Sequence, residues 1–512
     1  MRNFLLIYPT LITEAPITLA MLAPILTKNG FSVSAQVNTF KKPLNIEDFV
    51  KKAKETKADI VGISMLTFNV LFVYELIRAL KKEGIFVIVG GAHPTDCPEE
   101  VIEAGADIAV MREGETTLEE LCHYWKGEKK LEDILGIVFR NSKGKIISTA
   151  SRPRMELTDL PLPDLEIFEK DAFTGDDGFI KGFHRIYTSR GCPGACTFCD
   201  WKIFGQTFKT YPVDKIIEEI KRRKEKYGIT SFSIADDCFT VIPERVFDFC
   251  EKIKPLKVAW RANSRANLVS FEMLKAMKEA GCHSVAFGLE SGDPETLRRI
   301  GKGVSLEENI KAPKMAHEAG LEVYGCMMTG FPWETEENVG NNIKFIEEVW
   351  DSVSLFQVSG SLMPFPGTAI YRLFSKQYGF EKYWLNPKFQ NAGIQIYQNI
   401  RNPYATSVFY QRLFFDDTYI QKECFFTYSE NYKKKVREMV KKIGEHNLLF
   451  MFPQKPLKQK VFSLLARLSM FGYDWFPEKR IGGLLFDWFG KRGTRSGIEN
   501  LRDKRRGIVL KK

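Results

Sequence analysis

Short apolar runs alternate with amphipathic stretches along residues 1–140. The apolar runs predict strands at residues 4–8, 31–37, 60–64, 86–89 and 108–110. Helices are predicted around residues 19–26, 46–55 and 74–82 and from Thr116. Continuous apolar strands separated by helices are typical of a parallel sheet covered on both faces. We therefore expect an N-terminal doubly wound, Rossmann-like α/β domain, whose ligands would bind beyond the carboxyl ends of its strands.

A second alternation begins at Arg185. Its predicted strands cover residues 185–188, 231–234, 258–261, 284–287, 323–327 and 355–358, with a helix in each gap. Six βα units predict a partial (β/α)6 barrel, in which reactive groups sit at the carboxyl ends of the strands.

The remaining segments set the domain boundaries. Residues 136–140 and 145–147 predict a hairpin, and the proline-containing stretch 151–163 shows no clear period, which indicates a linker. We predict four parts, the last of them a mainly helical substrate or lid region: 1–140, 141–180, 181–380 and 381–512.

Composition and charge fit an ordinary globular protein. The 512 residues are 44% hydrophobic and 27% charged, and the formal net charge is +10. A basic excess favours phosphates, nucleic acid or an anionic membrane, but it specifies no chemistry. The first residues lack a signal-peptide h-region, and no run approaches the ~18 apolar residues of a membrane span. We expect a reducing, cytoplasmic location.

Three cysteines follow the first barrel strand at spacings of four and three, as Cys192, Cys196 and Cys199. A cluster of four irons normally takes four cysteine ligands, so three local ones would leave one iron open to chelate a substrate. The alternative is a structural zinc knuckle. It usually needs a fourth ligand, and the nearby His184 stands at the wrong end of the strand.

The Cys-x-x-x-Cys-x-x-Cys run, with the aromatic Phe198 before its last cysteine, resembles the signature of the radical S-adenosylmethionine (SAM) superfamily. The resemblance implies a [4Fe–4S] cluster whose open iron binds the amino and carboxylate groups of SAM. One-electron reduction would then cleave SAM to methionine and a 5′-deoxyadenosyl radical. It also implies SAM contacts at the ends of the later barrel strands, at Asp236, Arg261, Glu290, Thr329, Gly330 and Met363.

Three strand-end segments of the N-terminal domain, residues 64–67, 90–95 and 112–116, carry glycines and hydroxyl side chains. No Gly-x-Gly-x-x-Gly follows the first strand and no Walker-type motif is present, which disfavours dinucleotides and nucleoside triphosphates. In this order ahead of the barrel, the segments resemble the cobalamin-binding domain of B12-dependent radical SAM proteins. The resemblance implies cobalamin contacts at Ser64, Thr67, Gly90, Gly91, His93, Thr95, Glu113 and Gly114.

The Asp-x-His-x-x-Gly motif that supplies a lower axial histidine in corrinoid domains is missing. We therefore expect cobalamin bound without a protein histidine below cobalt. His93 would hydrogen-bond to the corrin side chains or tail, or it is a turn histidine packed against Pro94.

The resemblance predicts cobalamin-dependent methyl transfer to an unactivated carbon or phosphorus centre, using two SAM molecules per turnover. One alternative is the same apparatus without methylation, as in the anaerobic porphyrin-ester cyclases. A second is a non-catalytic corrinoid or iron–sulfur sensor. We expect a low-potential flavodoxin- or ferredoxin-type electron donor.

The substrate is expected to be a small or lipid-like molecule. Residues 460–473 read as an amphipathic helix, and basic residues follow from Lys491 to Lys512. Such a segment can lie on a membrane, although packing on the barrel with a solvated tail is the simpler interpretation. Nucleic acid is not predicted, because the basic excess is diffuse.

Overall fold

The computed structural model describes residues 2–12, 16–39, 43–168, 184–387 and 425–451. Its strands are β1 Asn3–Ile12, β2 Ser32–Thr39, β3 Ile60–Ser64, β4 Phe86–Gly90, β5 Ile108–Val110, β6 Ile137–Arg140, β7 Ile146–Ser148, β8 His184–Ile186, β9 Ser189–Arg190, β10 Lys209–Thr210, β11 Ser231–Ile234, β12 Ala259–Ser264, β13 Cys282–Glu290, β14 Glu322–Thr329 and β15 Leu355–Ser361. Its helices are α1 Ile17–Lys28, α2 Ile46–Glu55, α3 Val70–Lys82, α4 Ala92–Asp96, α5 Pro98–Glu103, α6 Glu115–Trp125, α7 Val213–Tyr227, α8 Pro243–Ile253, α9 Phe271–Glu279, α10 Pro294–Arg299, α11 Leu306–Glu318, α12 Glu336–Glu348, α13 Ala369–Tyr378 and α14 Glu430–Met451.

The chain forms two compact units. The first comprises residues 1–175, 184–226 and 364–398, and the second comprises residues 176–183, 227–363 and 399–512. The cluster motif thus belongs to the same unit as the N-terminal sheet, whereas the sequence analysis grouped it with the barrel.

The first unit is built on a seven-stranded sheet in the order β2-β1-β3-β4-β5-β6-β7. The first five strands in this order, β2, β1, β3, β4 and β5, are parallel, as predicted. Within them Leu5, Val61 and Val87 are fully buried. The predicted hairpin exists, but it is not a separate element, because β6 pairs antiparallel with β5 and extends the sheet.

The carboxyl ends of β3, β4 and β5 meet at one edge of this sheet. Met65 N–H donates to the Gly90 carbonyl at 2.8 Å, and Arg112 N–H donates to the Thr95 hydroxyl at 2.9 Å. Backbone and side-chain bonds therefore join the three predicted cobalamin segments to one another.

The first unit also contains a two-stranded ribbon around the cluster motif. Strands β9 and β10 pair antiparallel, with Ser189 opposite Thr210 and Arg190 opposite Lys209. The loop between them carries the three cysteines. The predicted strand at residues 185–188 is shorter than expected and becomes β8.

The second unit contains the other five predicted barrel strands. Strands β11 to β15 lie side by side in sequence order, and each pair is parallel. The fully buried side chains of Trp260, Phe287 and Phe356 fill the core of this unit. This architecture confirms the predicted parallel α/β arrangement of these five strands.

Helix α14 closes the edge of this sheet at β15. The Asn447 amide donates to the Phe356 carbonyl at 2.8 Å and accepts from the Phe356 N–H at 2.9 Å. Asn447 thus occupies the two backbone groups that a further strand would use. In the described ranges, no helix has both the length and the apolarity needed to cross a bilayer. The predicted helix at residues 460–473 lies outside the described residues.

Candidate functional site

None of the three cysteines of the predicted cluster forms a disulfide bond. Cys196 is buried, Cys192 is half-buried and Cys199 is exposed. The Cys199 N–H donates to the Cys196 carbonyl at 3.1 Å, and the Gly194 N–H donates to the Cys192 sulfur at 3.4 Å. Hydrogen bonds to sulfur are one of the means by which proteins tune iron–sulfur clusters. The loop therefore already provides this interaction at its first cysteine.

The entry to the loop requires glycine. Gly191 has φ +88°, and a Cβ at this position would overlap the Thr207 carbonyl oxygen. Both the backbone conformation and the close approach exclude larger residues. This tight turn sets the direction in which the chain leaves β9 toward Cys192.

Arg190, two residues before Cys192, is buried in an ion-pair network. Its guanidinium donates to Glu113 at 3.0 Å and to Glu115 at 2.5 Å. Arg154 donates to the other Glu113 oxygen at 2.7 Å, and the Phe204 ring lies 5.5 Å from the Arg190 guanidinium carbon. Although burial favours the neutral form, Glu115 and Glu113 raise the pKa of Arg190 above its ordinary value. The network thus keeps its charge.

A second group of charged residues lies on the other side of the loop. Lys202 Nζ lies 2.9 Å from a carboxylate oxygen of Asp96, which ends α4 and whose side chain is 2% exposed. Burial and the neighbouring Asp96 carboxyl raise the pKa of Asp200 to about 7. The residues just after Cys199 are therefore also bonded to the N-terminal domain.

His93 is fully buried rather than facing an open pocket. Its Nδ1 lies 3.3 Å from the Thr67 hydroxyl, and its ring packs edge-on against Trp384. Its Nε2 lies 3.5 Å from Glu100, which also accepts from Tyr74 at 2.6 Å and from Trp384 at 3.0 Å. These contacts give His93 a packing role, and its cobalamin contact stays a prediction.

Burial alone would raise the pKa of Glu100. The neighbouring His93 ring and the hydrogen bonds from Tyr74 and Trp384 instead lower it to about 2. The carboxylate is therefore ionised at neutral pH and accepts from Tyr74 and Trp384.

Two further predicted cobalamin residues also have internal partners. Gly91 has φ +116°, and a Cβ there would come within 2.6 Å of the Met65 carbonyl oxygen. The glycine is thus required by the approach of two strand ends, and its predicted cobalamin contact stays a prediction. The Thr95 hydroxyl donates to the Gly91 carbonyl at 2.8 Å. Ser64, Gly90 and Gly114 lie on the same strand-end segments, and their predicted contacts stay predictions.

Glu290 ends β13 in the second unit, at a strained position. Its φ is +62°, a conformation that is uncommon for residues with a side chain and clusters at functional sites. Its carboxylate pairs with the buried Lys302 at 3.0 Å. Lys302 orients the Glu290 carboxylate, and the sequence pattern did not reveal it because it lies in the loop before α11.

Asp236 and Met363 follow strands of the same unit, whereas Arg261 lies within β12, which runs on to Ser264, and not at the strand end as predicted. Asp236 is buried, and its carbonyl accepts from the Asn263 amide at 3.3 Å. Arg261 on β12 donates to the Ser233 hydroxyl at 3.2 Å. Met363 follows β15 and is half-buried. Phe198, in the cluster loop of the first unit, is half-buried as well. These positions are compatible with the predicted roles and do not test them.

Glu334 supports the loop that follows β14. It accepts from the Gly330 N–H at 2.7 Å, from the Phe331 N–H at 3.2 Å and from the Tyr432 hydroxyl of α14 at 2.8 Å. Burial raises the pKa of Glu334 to about 7. Thr329 beside it is buried. The Gly330 N–H therefore donates within the loop after β14, and the predicted SAM contacts of Thr329 and Gly330 stay predictions.

The residues present fit a cluster and cobalamin. Among the described residues, no three His, Cys, Asp or Glu side chains are spaced to hold a single metal ion. A [4Fe–4S] cluster takes each cysteine on a different iron, so its ligands stand farther apart. In the first unit, the two Nη groups of Arg154 are buried without a hydrogen-bond partner. Two such donors beside Glu113 suit the amide or phosphate oxygens of a large ligand.

Comparisons with known proteins agree with this geometry. Residues 186–346 match the Radical SAM superfamily, and residues 13–122 match the B12 binding domain. An uncharacterized methyltransferase of Pyrococcus horikoshii is 34% identical over 367 residues, which are 70% of this chain and 78% of that protein.

Two more distant relatives have named activities. Cytidylyl-2-hydroxyethylphosphonate methyltransferase of Streptomyces wedmorensis is 28% identical, over 62% of this chain and 65% of that protein. Anaerobic magnesium-protoporphyrin IX monomethyl ester cyclase of Cereibacter sphaeroides is 24% identical, over 70% of this chain and 60% of that protein. The chain thus spans less than two thirds of both.

Solved structures share the fold. The cobalamin-dependent SAM radical enzyme OxsB, with aqua-cobalamin and SAM bound, superposes with a TM-score of 0.65 at 18% identity, covering 96% of this chain and 76% of that one. The radical SAM methyltransferase TsrM of Kitasatospora setae gives a TM-score of 0.61 at 18% identity, covering 74% and 77%.

Proposed function

Since this chain belongs to the radical SAM enzymes that carry an N-terminal B12-binding domain, we propose that it methylates an unactivated carbon or phosphorus centre of a small or lipid-like molecule. One observation carries this proposal. A loop with three cysteines at spacings of four and three, none of them in a disulfide bond, is part of the same compact unit as the B12-binding domain.

The cofactors are a [4Fe–4S] cluster, SAM and cobalamin, which together supply a 5′-deoxyadenosyl radical and a transferable methyl group. Cys192, Cys196 and Cys199 would hold the cluster and leave one iron for SAM. Glu290, which pairs with Lys302, would accept hydrogen bonds from ribose hydroxyls. The strand-end segments after β3, β4 and β5 would hold cobalamin.

A flavodoxin- or ferredoxin-type protein would supply the electrons, because a cluster of this kind needs a low-potential donor. A reducing, cytoplasmic compartment suits cluster-loop cysteines that form no disulfide bond. The formal net charge of +10 supports an anionic substrate or a contact with an anionic membrane surface.

The test uses anaerobically purified, cluster-reconstituted protein with hydroxocobalamin, methyl-labelled SAM and a low-potential reductant. Chromatography with mass detection would follow 5′-deoxyadenosine, S-adenosylhomocysteine and the label on cobalamin. We expect all three in the wild type. Cys196→Ala should abolish 5′-deoxyadenosine because it removes a cluster ligand, whereas Cys250→Ala, on α8 away from the loop, should retain it.

The outcomes separate the candidate functions. Formation of 5′-deoxyadenosine without S-adenosylhomocysteine or labelled cobalamin would favour a reaction without methyl transfer, as the similarity to the ester cyclase also allows. Absence of all three products would contradict an enzymatic role and favour a sensor.

A further inference from the structure

Both flanks of the cluster loop are bonded to the segments that are predicted to bind cobalamin. Arg190 precedes Cys192 and pairs with Glu113, 77 positions earlier in the chain. Lys202 follows Cys199 and pairs with Asp96, 106 positions earlier. Glu113 follows β5, and Asp96 ends the short helix after β4. All of these residues belong to one compact unit.

The upstream contact is built as a positioning device. Arg190 and Glu113 are 5% and 8% exposed, so their pairing takes place largely away from water. Arg190 bridges Glu113 and Glu115 with separate nitrogens, and Arg154 takes the remaining Glu113 oxygen. Two guanidinium groups balance two carboxylates. Removing one of these four side chains would leave an uncompensated buried charge. The paired arrangement is therefore strongly favoured over any in which one partner has moved away.

The downstream contact is less enclosed. The Lys202 side chain is 35% exposed, while Asp96 is nearly inaccessible. The Asp200 N-terminal to it contributes a carboxyl close to Asp96. This flank therefore adds a second attachment, but the upstream network has the stronger geometric constraint.

We propose that Arg190, Glu113 and Glu115 are positioning residues that couple the cluster loop to the cobalamin site, so that bound cobalamin stabilises the cluster. The inference rests on the proposed function, because it takes the cluster and cobalamin as the two partners. Filling or emptying the cobalamin site would shift Glu113 and so change the contacts of Arg190. Arg190 stands two residues before Cys192, the first cluster ligand. Such coupling is reciprocal.

The experiment measures the loss of iron from the reconstituted full-length protein in the presence of a ferrous chelator, with and without saturating hydroxocobalamin. The ratio of the two rates is the protection factor. We expect a protection factor of about tenfold in the wild type, within the usual range for coupled sites. Arg190→Gln should bring it close to one and weaken hydroxocobalamin binding, and Arg190→Lys should be intermediate because it keeps the charge without the fork.

The control is Arg222→Gln on α7, which removes an arginine paired with Glu219 and the Pro163 carbonyl in the same unit. It should retain the wild-type protection factor. A network that merely stabilises the fold would speed iron loss equally with and without cobalamin. If Arg190→Gln does not fold, Glu115→Gln tests the same point, since it removes one contact and leaves Glu113 in place.

A wild-type protection factor in Arg190→Gln or in Glu115→Gln would overturn the proposal. A wild type that binds hydroxocobalamin and cleaves SAM but shows no protection would overturn it and leave the proposed function standing. A wild type that does not bind hydroxocobalamin would overturn both.

Discussion

Glu334 is a carboxyl group whose chemistry depends on its surroundings. Two backbone N–H groups and the Tyr432 hydroxyl surround one of its oxygens, and burial raises its pKa from 4.5 to about 7. Between these values the folded protein binds a proton that the unfolded chain has released. The contribution of Glu334 to stability is thus complete below pH 4.5 and is lost as the pH rises through 7.

We expect Glu334→Gln to remove this pH dependence. Relative to the variant, the wild type should lose up to ~3 kcal/mol of stability between pH 4.5 and 7. Melting temperatures of both proteins across this range test the expectation. Glu337→Gln, at an exposed position of α12, is the control and should follow the wild type. Parallel pH profiles for wild type and Glu334→Gln would contradict the assignment.

The sequence predicts the chemistry of residues only where their partners are near in the chain. The three cysteines are found because their spacing is local. The pairing of Lys302 with Glu290 spans 12 positions, and that of Arg190 with Glu113 spans 77. No periodicity in the sequence encodes contacts over such separations. For the same reason the sequence predicted cobalamin contacts for His93 and Gly91, whereas the contacts of both residues inside the protein already account for their presence.

At the level of elements, helix α14 lies along the edge of β15 and bonds to its backbone through Asn447. Asn447 is fully buried and engages both backbone groups of Phe356. Asn447→Ala should leave a buried N–H and a buried carbonyl without their partner, at a cost of about 2 kcal/mol or more.

Thermal unfolding and limited proteolysis within residues 430–451 measure that cost. Lys435→Ala on the same helix removes an i,i+3 pair with Glu438 at its surface and should have little effect. Equal melting temperatures for wild type and Asn447→Ala would show that α14 is held by other contacts.

On the scale of the whole molecule, the chain has two compact units, and large multi-unit proteins rarely unfold in one step. We expect calorimetry to resolve two transitions. Hydroxocobalamin at a hundredfold excess over its dissociation constant should stabilise the transition of the first unit by about 2.7 kcal/mol, because only the native site binds it. Adenosine at the same concentration is the control. An equal shift of both transitions would contradict this assignment.

The overall architecture was largely predictable, since runs of buried strands alternate with helices in both halves. The seven-stranded sheet and the strands β11 to β15 confirm that pattern. The predicted boundaries did not anticipate that the hairpin extends the first sheet or that residues 184–226 join the first unit. Both depend on pairing between distant segments, whereas a hydrophobic pattern reports only local periodicity.

The ion pairs at the flanks of the cluster loop have a consequence for synthesis. Glu113 and Asp96 leave the ribosome well before Arg190 and Lys202, and N-terminal domains generally fold first. The loop thus emerges onto a surface that has already formed. A fragment that began at residue 181 would present Arg190 without Glu113 and Glu115, and Lys202 without Asp96.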